Sequence, residues 1–147
     1  MEKITVISLG GSLIVPNGGI DAVFLRRFRK LILSHLRRGR RFIIICGGGK
    51  LARHYQQAVR AVGGKLTADD VDWLGIHATR LNAHLLRTIF RDVAHPVVVK
   101  NPTRPPRWNE SVLIAAGWKP GASTDYDAVL LARRFGAKTV VNLSNVS

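Results

Sequence analysis

Three glycine-bearing turns carry most of the chemistry legible in this chain: Leu9-Gly10-Gly11-Ser12, Cys46-Gly47-Gly48-Gly49-Lys50, and Gly117-Trp118-Lys119-Pro120-Gly121-Ala122-Ser123-Thr124. Each follows an apolar run and precedes a stretch of helical spacing. A glycine turn that opens a helix presents unbonded backbone N–H groups and the positive end of the helix dipole, and both favour phosphate. Glycine also lets an anion approach the backbone with no Cβ in the way. One cradle suits a cofactor; several at one end of a sheet suit phosphate groups that meet each other. The glycines are read as the places where an anion touches the chain.

Rival chemistries fit less well. Gly47, Gly49 and Ala52 match the dinucleotide pattern G-x-G-x-x-A. That pattern wants an acidic residue at a strand end about 20 residues on, and Asp69 and Asp70 instead open a helix. A P-loop fails because Leu51 stands where Ser or Thr must follow the Gly-Lys pair. Plain tight turns explain any one of the three loops but are strained by all three together. His77 and His84 miss the i, i+4 spacing of paired helical ligands, so they read as packing or surface residues and no metal site is expected. Cys46 ends an apolar strand and reads as a buried, inert thiol. Trp73 reads as core or interface, and Asp127 as a helix cap or first-turn acid.

The elements that must position these turns follow in regular order. Strands are expected at 3–9, 41–46, "HPVVVK", "SVLIAA" and "KTVVNL". Helices are expected from about Asp21 to Arg38, at 51–62, from a Thr67 N-cap through "LTADDVDWLGIHATRLNAHLLRTIF", and over "DYDAVLLARRF" up to Gly136. "NPTRPPRWNE" reads as a surface loop. Alternating strands and helices with near-continuous apolar strands mean an α/β fold, a three-layer αβα sandwich with a mostly parallel sheet. In such folds ligands sit at the carboxyl ends of the strands, where every glycine turn lies.

At 147 residues and 46% hydrophobic content, the chain reads as a single domain, 1–147, with a real core. No apolar run approaches a membrane span, and a lone cysteine points to a cytoplasmic location. The formal charge of +14 admits nucleic acid as a partner. Its distribution favours a solvated helix face instead: Ile20, Phe24, Phe28, Leu31, Ile32 and Leu36 form the apolar stripe of "DAVFLRRFRKLILSHLRRGRR", with Arg26, Arg27, Lys30, Arg37 and Arg38 mostly elsewhere. No specific nucleic acid and no membrane are expected as partners.

The ordered set "VISLGGS", "CGGGKLARHYQ", "GIHATRLNAHLL", "GWKPGASTDYDAVLLA" and "KTVVNLSNV" resembles the amino acid kinase family, most closely its archaeal-type UMP kinase branch. The resemblance implies transfer of the γ-phosphoryl of ATP to UMP, giving UDP, with Mg²⁺ held mainly by phosphates and a homo-oligomer, a hexamer in the family. It places UMP on Gly48 and Asp72 and on the loop of Gly117, Trp118, Lys119, Pro120, Gly121, Ala122, Ser123 and Thr124. It places the ATP phosphates near Gly11, Ser12, Gly49, Arg53 and Ser144. Arg53 and Asp125 take the catalytic roles, with no metal ligand assigned to the protein.

That chemistry needs no general base. A phosphate monoester with a second pKa of about 6 is already largely anionic at neutral pH. The protein must hold two repelling anions in line and neutralise the transferring group. Two departures accompany the resemblance. Ser8 stands two residues before Gly10, where many of these kinases carry lysine, and Ser147 stands where relatives carry an acid before a long C-terminal segment. The expectation is a fold lacking its C-terminal, adenosine-holding part, and a poor kinase by itself. Two alternatives stay open: another small-phosphate kinase of this fold, such as an isopentenyl phosphate kinase, and a non-catalytic nucleotide- or oxyanion-binding protein, as molybdenum storage proteins illustrate.

Overall fold

The structure is a computed structural model that describes residues 3–145. Its elements are β1 (Lys3–Leu9), α1 (Gly11–Ile14), α2 (Ala22–Leu36), β2 (Arg40–Cys46), α3 (Gly49–Val62), α4 (Ala68–Ile89), β3 (Val112–Ala115), α5 (Thr124–Phe135) and β4 (Thr139–Leu143). The strands run in the order β3-β2-β1-β4, and every pair is parallel. Ser147, where an acid was expected, lies outside the described residues.

β1, β2 and β3 are covered on both faces, while the edge strand β4 has no buried residue, and the two-residue period sorts the side chains. Ile7, Leu9, Phe42, Ile44, Cys46, Val112 and Ile114 point to one layer, which α2 and α4 fill with Leu25, Phe28, Ile32, Ala83, Leu86 and Phe90. Val6, Ile43, Ile45, Leu113 and Ala115 point to the other, against Ala128, Leu131 and Ala132 of α5 and the buried Trp108. This is the αβα arrangement that a parallel sheet requires. Helix ends follow local rules. The Asp21 carboxylate caps α2, Thr67 and Asp70 form a capping box on α4, and Gly136 closes α5 in the left-handed conformation at φ 67°.

Two expectations need correction. "HPVVVK" is not a strand; it touches β3 only through single bridges at Ala94–Val112 and Val99–Ala115. Pro96 cannot donate to a ladder and bends the segment, leaving Val97 exposed. On α2 the buried line is Leu25, Phe28 and Ile32; Leu31, one residue and about 100° round the helix from Ile32, is 53% exposed, and Ile20 precedes the helix and is 60% exposed. Asp127 lies in the first turn of α5 as expected and is fully buried there. Among the described residues, no helix is long and apolar enough to cross a membrane.

Candidate functional site

The carboxyl ends of β2 and β3 open into a cavity of about 480 Å³. Its walls are the first two turns of α3 (Gly49, Ala52, Arg53, Gln56), one side of α4 (Asp72, Gly75, Ile76, Thr79) and the loop after β3 (Gly117, Lys119, Gly121, Ala122, Ser123, Thr124), with Gly48 at the junction. Ten of the residues singled out from the sequence therefore meet around one space: Gly48, Gly49, Arg53, Asp72, Gly117, Lys119, Gly121, Ala122, Ser123 and Thr124. Gly11, Ser12, Trp118, Pro120, Asp125 and Ser144 do not line it.

The glycines have a reason that the sequence reading missed. The turns after β1 and β2 are packed backbone against backbone. A Cβ on Gly11 would overlap the Gly49 nitrogen and lie 2.5 Å from the Gly48 carbonyl carbon. A Cβ on Gly47 would lie 2.7 Å from the Gly11 nitrogen, and the Gly47 N–H donates to Leu9 O at 2.9 Å. Gly49 also sits at φ 61°, which favours glycine. Mutual contact of two strand ends thus needs the bare backbone whether or not an anion is bound. The N-cap of α3 is Gly48, and no side chain caps its first turn, although the Lys50 N–H donates to Val15 O at 3.2 Å. This end, with Gly48 and Gly49, faces the cavity, and Arg53 adds a cation one turn later.

Helix α4 fixes both loops that flank the cavity. Asn82, 3% exposed, donates from Nδ2 to Gly47 O at 2.9 Å and to Gly48 O at 3.3 Å. The Thr79 hydroxyl accepts from the Gly117 N–H at 2.7 Å while donating to Ile76 O at 2.6 Å. Arg80 donates to Gly117 O and Trp118 O at 3.3 and 3.0 Å; partial burial lowers its pKa from the usual arginine value. The Asp72 carboxylate accepts from the Gly121 N–H at 3.2 Å. Asp72 and Thr79, seven residues apart, share one line of α4, whereas Arg80 and Asn82 flank that line on opposite sides, so no single helical spacing flags the set. Thr79→Val keeps the volume and removes the acceptor from a buried N–H. We expect a loss of about 1–3 kcal/mol in urea unfolding and a weaker ligand site. Unchanged stability would mean that the Gly117 amide has another partner.

Ser123 uses its hydroxyl to cap α5, accepting from the Tyr126 N–H at 3.1 Å. Trp118 is held at its carbonyl by Arg80, and its ring lies 4.1 Å below the Lys119 ammonium. Asp125 lies on the first turn of α5, beyond the cavity, at the carboxyl ends of β1 and β4. There its Oδ1 accepts from the Ser8 hydroxyl at 2.7 Å and from Asn142 Nδ2 at 3.3 Å. β2 and β3 extend the sheet to one side of β1 and β4 to the other, so Asp125 marks the point where strand order reverses. Ser8 thus supplies Asp125 with a neutral donor at the position where a lysine was missed. Gly10 and Ser144 border this second point, with Gly10 N–H donating to Leu143 O at 2.7 Å.

Behind the loop, Asp127 is 0% exposed, and neither carboxylate oxygen has a hydrogen-bond partner of standard geometry. Burial pushes its pKa up to about 6, opposed by the nearby Trp118 backbone N–H and the Lys119 charge. Burial also pushes the Cys46 thiol far above its usual range, in keeping with an inert thiol.

Comparison with known proteins agrees with this fold. A uridylate kinase of Thermoplasma volcanium is 34% identical over 99% of this chain and 63% of its own length. A uridylate kinase of Methanoculleus marisnigri is 35% identical over 100% of this chain and 61% of its own. The crystal structure of uridylate kinase from Archaeoglobus fulgidus superposes with a TM-score of 0.78 at 31% identity, covering 97% of this chain and 63% of that one. The chain therefore spans less than two thirds of the length of these relatives. The sequence pattern of the Amino acid kinase family matches residues 3–147. With its parallel sheet, paired glycine turns and carboxyl-end cavity, this chain belongs to the amino acid kinase family.

Proposed function

We propose that the chain is the acceptor-binding part of a UMP kinase, which transfers the γ-phosphoryl of ATP to UMP. The observation that carries this is the convergence of the α3 N-terminus, which has no side-chain cap, with Arg53, Asp72 and the 117–124 loop on one cavity at the ends of β2 and β3. Its volume, about 480 Å³, suits a mononucleotide. Relatives that match in sequence and in structure are named as uridylate kinases.

In this reading the UMP phosphate lies against Gly48 and Gly49 at the α3 end, and Arg53 offsets its charge. Asp72 and the loop enclose the nucleoside. The donor phosphates lie towards Gly11, Ser12 and Ser144, across the packed turns. Asp125, held by Ser8 and Asn142, stands at the reaction centre between the two. The work of these residues is alignment and charge neutralisation. Among the described residues no group of three or more His, Cys, Asp or Glu side chains gathers to hold a metal. The donors that remain, one aspartate and phosphate oxygens, fit Mg²⁺ carried on the triphosphate, where it supplies further charge neutralisation. A homo-oligomer and a cytoplasmic location go with this reading.

Calorimetry with UMP, CMP and isopentenyl phosphate, followed by an assay of UDP formation from ATP and Mg²⁺, tests the proposal. UMP is expected to bind best. Preference for isopentenyl phosphate would overturn the substrate, and UMP binding by a full-length relative's sequence but never by this cavity would overturn the site.

Asp72 and Asp125 are expected to do separable jobs. Asp72→Asn keeps the shape but weakens the bond to Gly121, so the UMP concentration needed should rise by about tenfold, a loss near 1.4 kcal/mol. Asp125→Asn should leave UMP binding within about twofold and lower turnover instead. Identical changes in both variants would remove the distinction.

A further inference from the structure

We propose that the amino-terminal edge of the sheet, opposite the cavity, binds single-stranded nucleic acid through its phosphates. A parallel sheet gathers every strand start at one edge, together with the C-terminal ends of the helices that return to it. Here Lys3 of β1 and Arg40 of β2 are register partners, and Lys138 enters β4 just before Thr139 pairs with Thr5. Arg37 and Arg38 follow α2 on one side; Arg133 and Arg134 end α5 on the other. All seven side chains are on exposed residues. Cations at helix ends complement the helix dipole, but those at strand starts do not answer to that cause.

The charge is also polarised. Asp69, Asp70 and, just past the first turn, Asp72 of α4 stand with Asp125 and Asp127 of α5 at the opposite edge, while Asp92 and Glu110 at the strand-start edge pair with Arg29 and His95. Among the described residues the ion pairs are Arg29–Asp92 and His95–Glu110, and neither engages the seven cations. A surface built only for solubility mixes its signs.

A groove of about 380 Å³ is cut into this edge. Arg107 and Arg134 stand on its rim, with Ile4, Pro105, Pro106 and Phe135 as a half-buried apolar floor. Arg41 builds its back wall: the guanidinium lies 3.9 Å from the Trp108 ring centre and donates to the Trp108 and Glu110 carbonyls at 3.2 and 3.0 Å. The wall is thereby fixed, while the rim arginines are exposed. An apolar floor between guanidinium groups suits one base with its flanking phosphates; the opening is too small for a duplex. The strand would continue over Arg40 and Lys3 towards Arg37 and Arg38, crossing the sheet between its two helical layers. Phosphate contacts of this kind are insensitive to sequence and weaken with salt.

The test is fluorescence anisotropy of a labelled single-stranded oligonucleotide of about 20 nucleotides, titrated from about 50 to 200 mM KCl. Saturable binding is expected, with log K falling against log salt at a slope near −3, as about four phosphate contacts would give. The pair Arg107→Glu and Arg134→Glu should weaken binding by about tenfold or more. Arg26→Glu and Lys30→Glu make the same change in charge on the outer face of α2 and should weaken it by less than about twofold. Unchanged UMP binding checks the fold of each variant, and Arg107→Gln with Arg134→Gln replaces the first pair if it fails to fold. Equal losses from both pairs would overturn the proposal, because net charge alone would then account for binding. So would absence of saturable binding, equal affinity for a duplex of the same sequence, or preference for phosphatidylserine vesicles.

Discussion

Gly11→Ala is expected to cost at least about 3 kcal/mol in urea unfolding and to abolish UMP binding, although it adds one methyl group. The new Cβ would overlap the Gly49 nitrogen and press on the carbonyl carbons of Gly47 and Gly48, at 2.6 and 2.5 Å. Those neighbours are backbone and cannot rotate away. Relief requires the turns after β1 and β2 to separate. That would break the Gly47 N–H bond to Leu9 O and shift the start of α3, where the phosphate is placed. Two control glycines calibrate the effect. Gly19→Ala meets nothing within 4 Å at an ordinary φ and should cost little, whereas Gly121→Ala meets nothing but sits at φ 85° and should cost about 1 kcal/mol. Comparable midpoints for Gly11→Ala and Gly19→Ala would show that the two turns are not in contact in solution.

The second large effect concerns pH. Asp127 has a pKa raised to about 6 in the folded chain, against an unfolded value near 3.8. The folded state therefore binds the proton more tightly, and stability falls as pH rises from about 4 to about 6. Above that window the full penalty of a buried carboxylate without good hydrogen bonds persists. Asp127→Asn removes the charge and the penalty. It should raise stability at pH 7.5 by about 2 kcal/mol, allowing for the polar amide still buried, and leave stability near pH 4 almost unchanged. The measurement is the unfolding midpoint across that range for both proteins. A variant less stable than the parent at pH 7.5 would mean that the ionised carboxylate has an effective partner, with Lys119 the first to examine.

The fold was legible because its signals are local and repeated. Apolar runs such as Phe42–Cys46, the Thr67 and Asp70 capping box and the Gly136 stop each specify an element without help from distant chain. "HPVVVK" misled because its valines suit a strand while Pro96 forbids the ladder. Of the candidate site, the turns were legible and their support was not. Asn82, Thr79 and Arg80 act through contacts 34 to 38 residues away in sequence, which no spacing rule reports. Ser8 and Asn142 meet at Asp125 only once β1 and β4 lie side by side. The burial of Asp127 was not legible, because helix position shows the first turn but not which face the sheet will cover. The close packing of the two glycine turns was not legible, since contact between two turns is invisible in either turn alone.

The most direct test of the central claim is an amide ¹H–¹⁵N correlation map of this chain titrated with UMP, with uridine as the comparison. The account predicts the largest shifts at Gly48, Gly49, Arg53, Asp72 and the amides of 117–124, with those at 48–53 needing the phosphate. Shifts confined to the turn at Gly10–Ser12 and to Asn142, or to the apolar hollow between Val15, Leu81 and Leu85, would contradict it.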